Sequence, residues 1–192
     1  MSLESKKPRI FITGHTRGIG KAIYDLYNAR DYHCYGVSRE TGFNINEDCD
    51  IIVKQMLNFK YIVLNAYDKD WQLRMLKEIV RLYQDEEKHV AIITSTSGTQ
   101  AGMDSSLKQQ EYNWYCKNKK ELIEYIEKAQ QDLFEKPIQL YDICPDTVET
   151  DMSKGLWEEY PKLDPSEVAD CVDLCFSKGY NINKIVLQKY AK

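Results

Sequence analysis

The chain has 192 residues, 43% of them hydrophobic and 29% charged, with a formal net charge of -4. That length suits a single domain with a real core, and the mild acidity gives no bulk attraction to nucleic acid or to an anionic membrane. No apolar run approaches the roughly 18 residues of a membrane span, and the polar opening "MSLESKKPRI" lacks a signal peptide's apolar centre.

A cytoplasmic protein is therefore expected, with Cys34, Cys49, Cys116, Cys144, Cys171 and Cys175 as free thiols. Their spacing contains no CxxC and no nearby Cys/His grouping, so no metal site is expected. The basic run "KNKK" (Lys117 to Lys120) reads as solvated surface.

In chain order, "RIFITG" (Arg9 to Gly14) reads as a strand and "GIGKAIYDLYNAR" as a helix with an apolar face at Ile19, Ile23, Leu26 and Tyr27. "HCYGVSR" (His33 to Arg39) is a second strand, "GFNI" is brief, and "EDCDIIVKQMLN" is a helix. "YIVLNA" (Tyr61 to Ala66) is a strand, followed by the helix "DWQLRMLKEIVRLYQDEE" with Leu73, Leu76, Ile79 and Val80 apolar. "HVAIITS" (His89 to Ser95) is the next strand, and a long helix runs from about Gln110 to Phe134. "IQLYDIC" (Ile138 to Cys144) is a strand, "DPSEVADCVDLCF" a helix opened by Pro165, and "KIVLQKY" the last strand. Continuous apolar strands separated by helices predict a parallel sheet buried on both faces. The fold class is a Rossmann-like, doubly wound three-layer α/β domain spanning residues 1–192, without repeats or linkers.

The stretch "FITGHTRGIG" places Gly14, Gly18 and Gly20 between the first strand and the first helix. A parallel α/β sheet binds a nucleotide there, with phosphate at the helix N-terminus. The spacing is GxxxGxG, not GxGxxG, and no Lys-Ser/Thr follows, which disfavours an ATP loop. A glycine turn without a ligand is the plain alternative.

"TGHTRGIG" resembles the glycine motif of the short-chain dehydrogenase/reductase family, and the likeness extends from about Arg9 to Tyr190. The family's Asn-Ala-Gly after its fourth strand is matched by Asn65 and Ala66, with Tyr67 in place of Gly. Its Ser at the end of the fifth strand is matched by Ser95, with Gly98 three residues on. Its Tyr-x-x-x-Lys helix is matched by Tyr115 and Lys119, which share a helix face. After the sixth strand, Pro145, Thr150 and Met152 match, with Asp146 replacing a Gly. A second YxxxK, Tyr180 and Lys184, precedes a strand, so its side chains need not face the same way.

Three departures accompany the likeness. The family's helix between strands two and three is absent between Arg39 and "FNIN". The lid segment "SKGLWEEYPKL" is short, and the family's catalytic Asn has no counterpart in "YDKDWQL".

The resemblance implies interconversion of a small-molecule carbonyl and an alcohol. Tyr115 would exchange the proton, Ser95 would orient the oxygen, and Lys119 would lower the tyrosine's pKa and bind the ribose hydroxyls. It implies cofactor contacts at Gly14, His15, Thr16, Arg17, Gly18, Ile19, Gly20, Ser38, Arg39, Asn44, Ile45, Asn65, Ala66, Tyr115, Lys119, Pro145, Val148 and Thr150. Ser38 stands where an NAD enzyme carries an acid, and Arg39 and Arg17 can pair with a ribose phosphate. NADP(H) is therefore preferred and NAD(H) possible, with Glu40 the counter-argument.

His15 reads as a solvated loop residue, and His33 and His89 have no obvious partner. The cluster "EYNWY" can wall a cleft or fill a helix interface. Substrate specificity would reside near Thr99 to Gln110 and Ser153 to Lys162. A homodimer or homotetramer is implied, since the family pairs its fifth and sixth helices across a two-fold axis. The rival reading is a non-catalytic dinucleotide-binding sensor or scaffold.

Overall fold

In a computed structural model, residues 7–99, 107–155, 158 and 160–189 are described. Six strands form one sheet: β1 (Arg9–Thr13), β2 (His33–Val37), β3 (Tyr61–Leu64), β4 (His89–Ile93), β5 (Gln139–Pro145) and β6 (Lys184–Leu187). All pairings are parallel, in the order β2-β1-β3-β4-β5-β6. The order reverses at β1, which pairs β2 on one side and β3 on the other, so the switch point lies between β1 and β3.

The strands alternate their side chains between two apolar layers. Phe11, Ile62, Leu64, Val90 and Ile92 face α2 (Cys49–Gln55), α3 (Trp71–Tyr83) and α4 (Leu107–Asp132). Ile10, Ile12, Val63, Ala91 and Ile143 face α1 (Gly18–Ala29) and α5 (Pro165–Ser177). This is the expected three-layer α/β architecture. Among the described residues no helix is long and apolar enough to cross a membrane, and no His/Cys/Asp/Glu group could hold a metal ion.

Local signals explain the element ends. Helix α5 opens on Asp164, whose carboxylate accepts from Ser166 N at 2.8 Å while Glu167 Oε2 accepts from Asp164 N at 2.7 Å. With Pro165 in the first turn, this is a complete capping box.

Strands β1 to β4 each end one or two residues before the sequence boundaries, because the chain turns at Gly14, Ser38, Asn65 and Thr94. Between β2 and the segment leading to α2 there is a 3-10 turn at Arg39–Thr41 and no α-helix, and "GFNI" adds no strand to the sheet. The helix read over 47–58 shortens to α2 plus a 3-10 turn at Met56–Asn58.

Candidate active site

The glycine loop lies at the carboxyl end of β1, at the switch point. Gly18 begins α1 with φ +54, and a Cβ there would approach Thr150 Cγ2 to 3.1 Å. A Cβ on Gly20 would collide with the Gly14 carbonyl oxygen, so α1 can follow β1 this closely only without a side chain. Arg17, the N-cap of α1, makes no side-chain cap, and the first turn carries no acid. The first N–H groups of the helix are thus left for an outside acceptor, and the residues fit a pyrophosphate.

The chain after β3 braces the loop. Asn65 Nδ2 donates to the carbonyls of Thr13 (3.3 Å) and Gly14 (3.1 Å), and Thr13 Oγ1 accepts from the N–H groups of Asn65 and Ala66, each at 3.0 Å. Gly14 N donates to Val37 O at 2.7 Å, which brings Ser38 and Arg39 beside the loop. Ser38 is tied into its turn by Thr41, whose Oγ1 accepts from Ser38 N at 2.9 Å, and Arg39 is exposed.

Other predicted cofactor residues have structural employment. His15 is not a solvated loop residue: its ring lies over Gly36 and against Tyr24, with centroids 5.2 Å apart, and its Nδ1 is buried without a hydrogen-bond partner. Arg17 leans toward Asp151, 4.0 Å away, and Ile19 packs under the loop while Thr16 is half-buried. Asn44 N donates to Asp48 Oδ2 at 2.7 Å, opening the way into α2. The side chains of Ile45 and Val148 belong to the core. Pro145 ends β5, and Asp146 Oδ1 accepts from Thr96 Oγ1 (3.2 Å) and Thr147 N (2.8 Å), tying the exits of β4 and β5 together.

Ser95 follows β4, and its Oγ accepts from Ser97 N at 3.2 Å, starting the 3-10 turn Thr96–Gly98. Helix α4 presents Tyr112, Tyr115 and Lys119 toward this turn, as residues on one helix stripe must. Tyr112 donates to Ser97 Oγ at 3.1 Å, and its ring stacks on Tyr115 at 6.4 Å. Burial pushes the Tyr115 phenol up to about 12, while the Ser95 hydroxyl, hydrogen-bonding it, pulls the other way. Without a cofactor, desolvation is the largest influence on this tyrosine, and the Ser95 hydrogen bond offsets it only in part.

Lys119 is only 3% exposed. Its Nζ donates to Gln72 Oε1 at 2.8 Å and to the Ile93 carbonyl at 2.9 Å. Burial lowers its pKa to about 7, opposed by the charge of Asp142. Tyr67, standing where the resembled family has Gly, lies with its ring 5.3 Å from Lys119 Nζ and edge-on to Tyr115 at 4.9 Å. Asn118 Nδ2 donates to the Tyr67 hydroxyl at 3.2 Å and holds it there. In this conformation the ammonium lies beneath the rings of Tyr67 and Tyr115.

Gln72 is the residue that the sequence reading missed. It shares a buried stripe with Met75, Leu76, Ile79 and Tyr83, spaced i, i+3, i+4, i+7 and i+11. A polar side chain on an otherwise apolar stripe demands a buried partner, and that was its signal.

The second YxxxK separates as its context implied. Tyr180 is exposed, while Lys184 lies 3.3 Å from the buried Asp142 and 3.2 Å from Glu127. His89 does have a partner, contrary to expectation: Nδ1 lies 2.8 Å from the Tyr141 hydroxyl, with the rings stacked. In "EYNWY", Tyr112 turns to Ser97 and Tyr115 to Ser95 while Trp114 is exposed.

A cleft of about 570 Å³ between α1 and the chain after β5 is lined by Gly18, Lys21, Asp25, Thr150, Asp151 and Pro165, and includes none of Ser95, Tyr115 or Lys119. Of the segments expected to set substrate specificity, residues 100–106, 156, 157 and 159 lie outside the described residues, as do the side chains of 107–111.

No protein-family model matches the sequence, and no curated protein matches it. Solved structures do match it. A short-chain dehydrogenase from Burkholderia cenocepacia J2315 in complex with NADP superposes with a TM-score of 0.75 at 14% identity, covering 96% of this chain and 89% of that one. A short-chain dehydrogenase/reductase from Vibrio parahaemolyticus gives 0.72 at 18% identity, covering 95% and 100%. A 4-hydroxyisoleucine dehydrogenase complexed with NADH gives 0.76 at 14%, covering 94% and 96%. At these identities the likeness is one of architecture, and the chain has the fold of the short-chain dehydrogenases and reductases.

Proposed function

We propose that the chain is an oxidoreductase of that family, preferring NADP(H) over NAD(H), which interconverts a small-molecule carbonyl and its alcohol. The observation that carries this reading is the meeting of Ser95, Tyr115 and Lys119 at the carboxyl end of β4, next to an uncapped glycine loop at the sheet's switch point. Solved structures of the same fold that contain NADP, NADPH or NADH support it. A cytoplasmic homodimer or homotetramer belongs to the same reading.

The α1 N-terminus would hold the pyrophosphate, and Arg39 with the Ser38 hydroxyl would meet the ribose phosphate. The nicotinamide, when bound, supplies or takes up the hydride. Tyr115 gives its proton to the substrate oxygen in reduction and regains it in oxidation. The Ser95 hydroxyl donates to the same oxygen and fixes its position. Lys119, when charged, stabilises the phenolate left behind. A high phenol pKa suits the reductive direction, because Tyr115 then rests protonated at neutral pH.

A second reading, a non-catalytic dinucleotide-binding sensor, is favoured by the Tyr67 ring over Lys119. One set of measurements separates the two. NADPH and NADH are titrated calorimetrically into wild type, Arg39→Ala and Tyr115→Phe, and turnover is followed with a panel of carbonyls. The oxidoreductase reading expects tighter NADPH binding, loss of most of that preference in Arg39→Ala, and Tyr115→Phe that binds cofactor but turns over at least about a hundredfold slower. Binding without any turnover supports the sensor. Tighter NADH binding by wild type refutes the cofactor assignment.

A further inference from the structure

We propose that Gln72 is a positioning residue of this site: its amide oxygen fixes the Lys119 ammonium so that the one remaining N–H is directed at Tyr67 and Tyr115. The catalytic meaning of this rests on the oxidoreductase reading; the geometry does not.

An ammonium has three donors. Gln72 Oε1 (2.8 Å) and the Ile93 carbonyl (2.9 Å) take two. The rings of Tyr67 and Tyr115 lie within reach of the third, 5.3 and 5.7 Å from Nζ.

Gln72 is itself locked. Its Nε2 donates to Leu64 O at 2.8 Å and to Ile93 O at 3.0 Å, so its oxygen can only face Lys119. The amide thus spans the ends of β3 and β4 and hands the lysine a fixed acceptor between them. Because that acceptor is neutral, it sets the direction of the ammonium without clamping its charge, as a carboxylate would.

Every element around Lys119 contributes a group that bears on its proton. Helix α3 supplies Gln72, the chain after β3 supplies Tyr67, and β4 supplies the Ile93 carbonyl with Ser95 beyond it. Strand β5 supplies Asp142 and Cys144, and α4 itself supplies Tyr115. Asp142 is already engaged by Thr94, which donates to it at 2.5 Å, and by Lys184. Burial leaves Lys119 titrating at about 7, where a modest change in its acceptors alters its charge under working conditions.

The test uses the full chain without cofactor, with 13C-labelled lysine, so that the Lys119 ε-carbon is titrated by NMR in wild type, Gln72→Met and Gln72→Glu. Gln72→Met should lower the lysine's proton affinity about tenfold, the effect of one charge-assisted hydrogen bond. Gln72→Glu should raise it by at least as much. In wild type, the Gln72 side-chain amide resonance should follow the Lys119 midpoint, and should stop titrating in Lys119→Met. Midpoints unmoved by both substitutions overturn the proposal. So does a wild-type amide indifferent to Lys119, which decides the matter even where neither Gln72 variant folds.

In NADPH turnover, kcat should fall in Gln72→Met with KM little changed, and its alkaline limb should move down in pH. The limb should move up in Gln72→Glu. Absence of turnover in wild type sinks the oxidoreductase reading and leaves the lysine titration to judge Gln72 alone.

Discussion

Tyr67 follows Asn65 and Ala66, which brace the glycine loop, and its ring lies 5.3 Å from Lys119 Nζ, over the donor that Gln72 and Ile93 leave. Three contacts hold it there: the edge-on packing against Tyr115, the hydrogen bond from Asn118 and the approach of the Lys119 ammonium to the ring face. Each is a weak interaction of about 1 kcal/mol, so the ring can be displaced by a ligand that offers Lys119 a better acceptor. Tyr67→Gly removes the ring altogether. NADPH should then bind roughly thirty- to a hundredfold tighter by calorimetry, because displacing contacts that sum to about 2–3 kcal/mol no longer opposes binding. Unchanged or weaker binding would show that the ring does not stand between Lys119 and the cofactor. Burial raises the Tyr115 pKa because a phenol packed against Tyr67 and Tyr112 has little solvent to stabilise its anion, and the Ser95 hydrogen bond offsets this only in part.

The elements show how a short helix is kept in register with the sheet. Behind helix α2 the chain from Met56 to Phe59 turns its carbonyls toward the interior, where only that of Met56 takes the turn's own hydrogen bond, from Phe59 N at 3.0 Å. Lys88, just before β4 and 3% exposed, donates to three of them: Met56 O at 3.3 Å, Leu57 O at 2.6 Å and Phe59 O at 3.1 Å. Its cation favours the negative end of the helix, lies 4.8 Å from the Tyr83 ring, and meets Glu86 at 3.1 Å. Lys88→Met keeps most of the side chain's volume but removes these three hydrogen bonds from the interior. Urea unfolding should show a loss of about 2–3 kcal/mol at unchanged m-value. A loss below about 0.5 kcal/mol would mean that the carbonyls find other partners. Lys88 thus ties the chain entering β4 to the end of a helix that closes at Gln55.

Across the whole molecule, the buried lysine at the site makes stability depend on pH. The sign follows from its lowered pKa. Between about 7, where Lys119 titrates in the folded protein, and 10.5 in the unfolded chain, the unfolded state binds one more proton. Stability from this group is therefore complete above 10.5, declines as pH falls toward 7, and is absent below. The slope is about 1.4 kcal/mol per pH unit. The opposite trend from Cys34, Cys144, Cys171 and Cys175, whose thiols burial raises above 9.0, enters only at higher pH. Denaturant unfolding from pH 7.5 to 8.5 should show wild type gaining stability relative to Lys119→Met. Parallel curves for the two proteins would mean that Lys119 stays charged in the folded state.

What the sequence by itself determined lies within a few residues of where it is read. Alternating apolar runs make the strands, "TGHTRGIG" makes the turn from β1 into α1, and "DPSE" makes the cap of α5; each needs only its own neighbours. The companionship of Ser95 with Tyr115 was legible too, through the order of a family motif. What tertiary structure alone decided are contacts made across long stretches of chain. Gln72 meets Lys119 from 47 residues away, Asn118 steadies Tyr67 from 51, and Asn65 braces Gly14 from 51. His15 settles over Gly36 only because β1 and β2 pair in register. The titration of Tyr115 and Lys119 is decided at this level as well. A sequence states which groups can carry charge, but the desolvation that moves their pKa values depends on what the folded chain stacks on top of them.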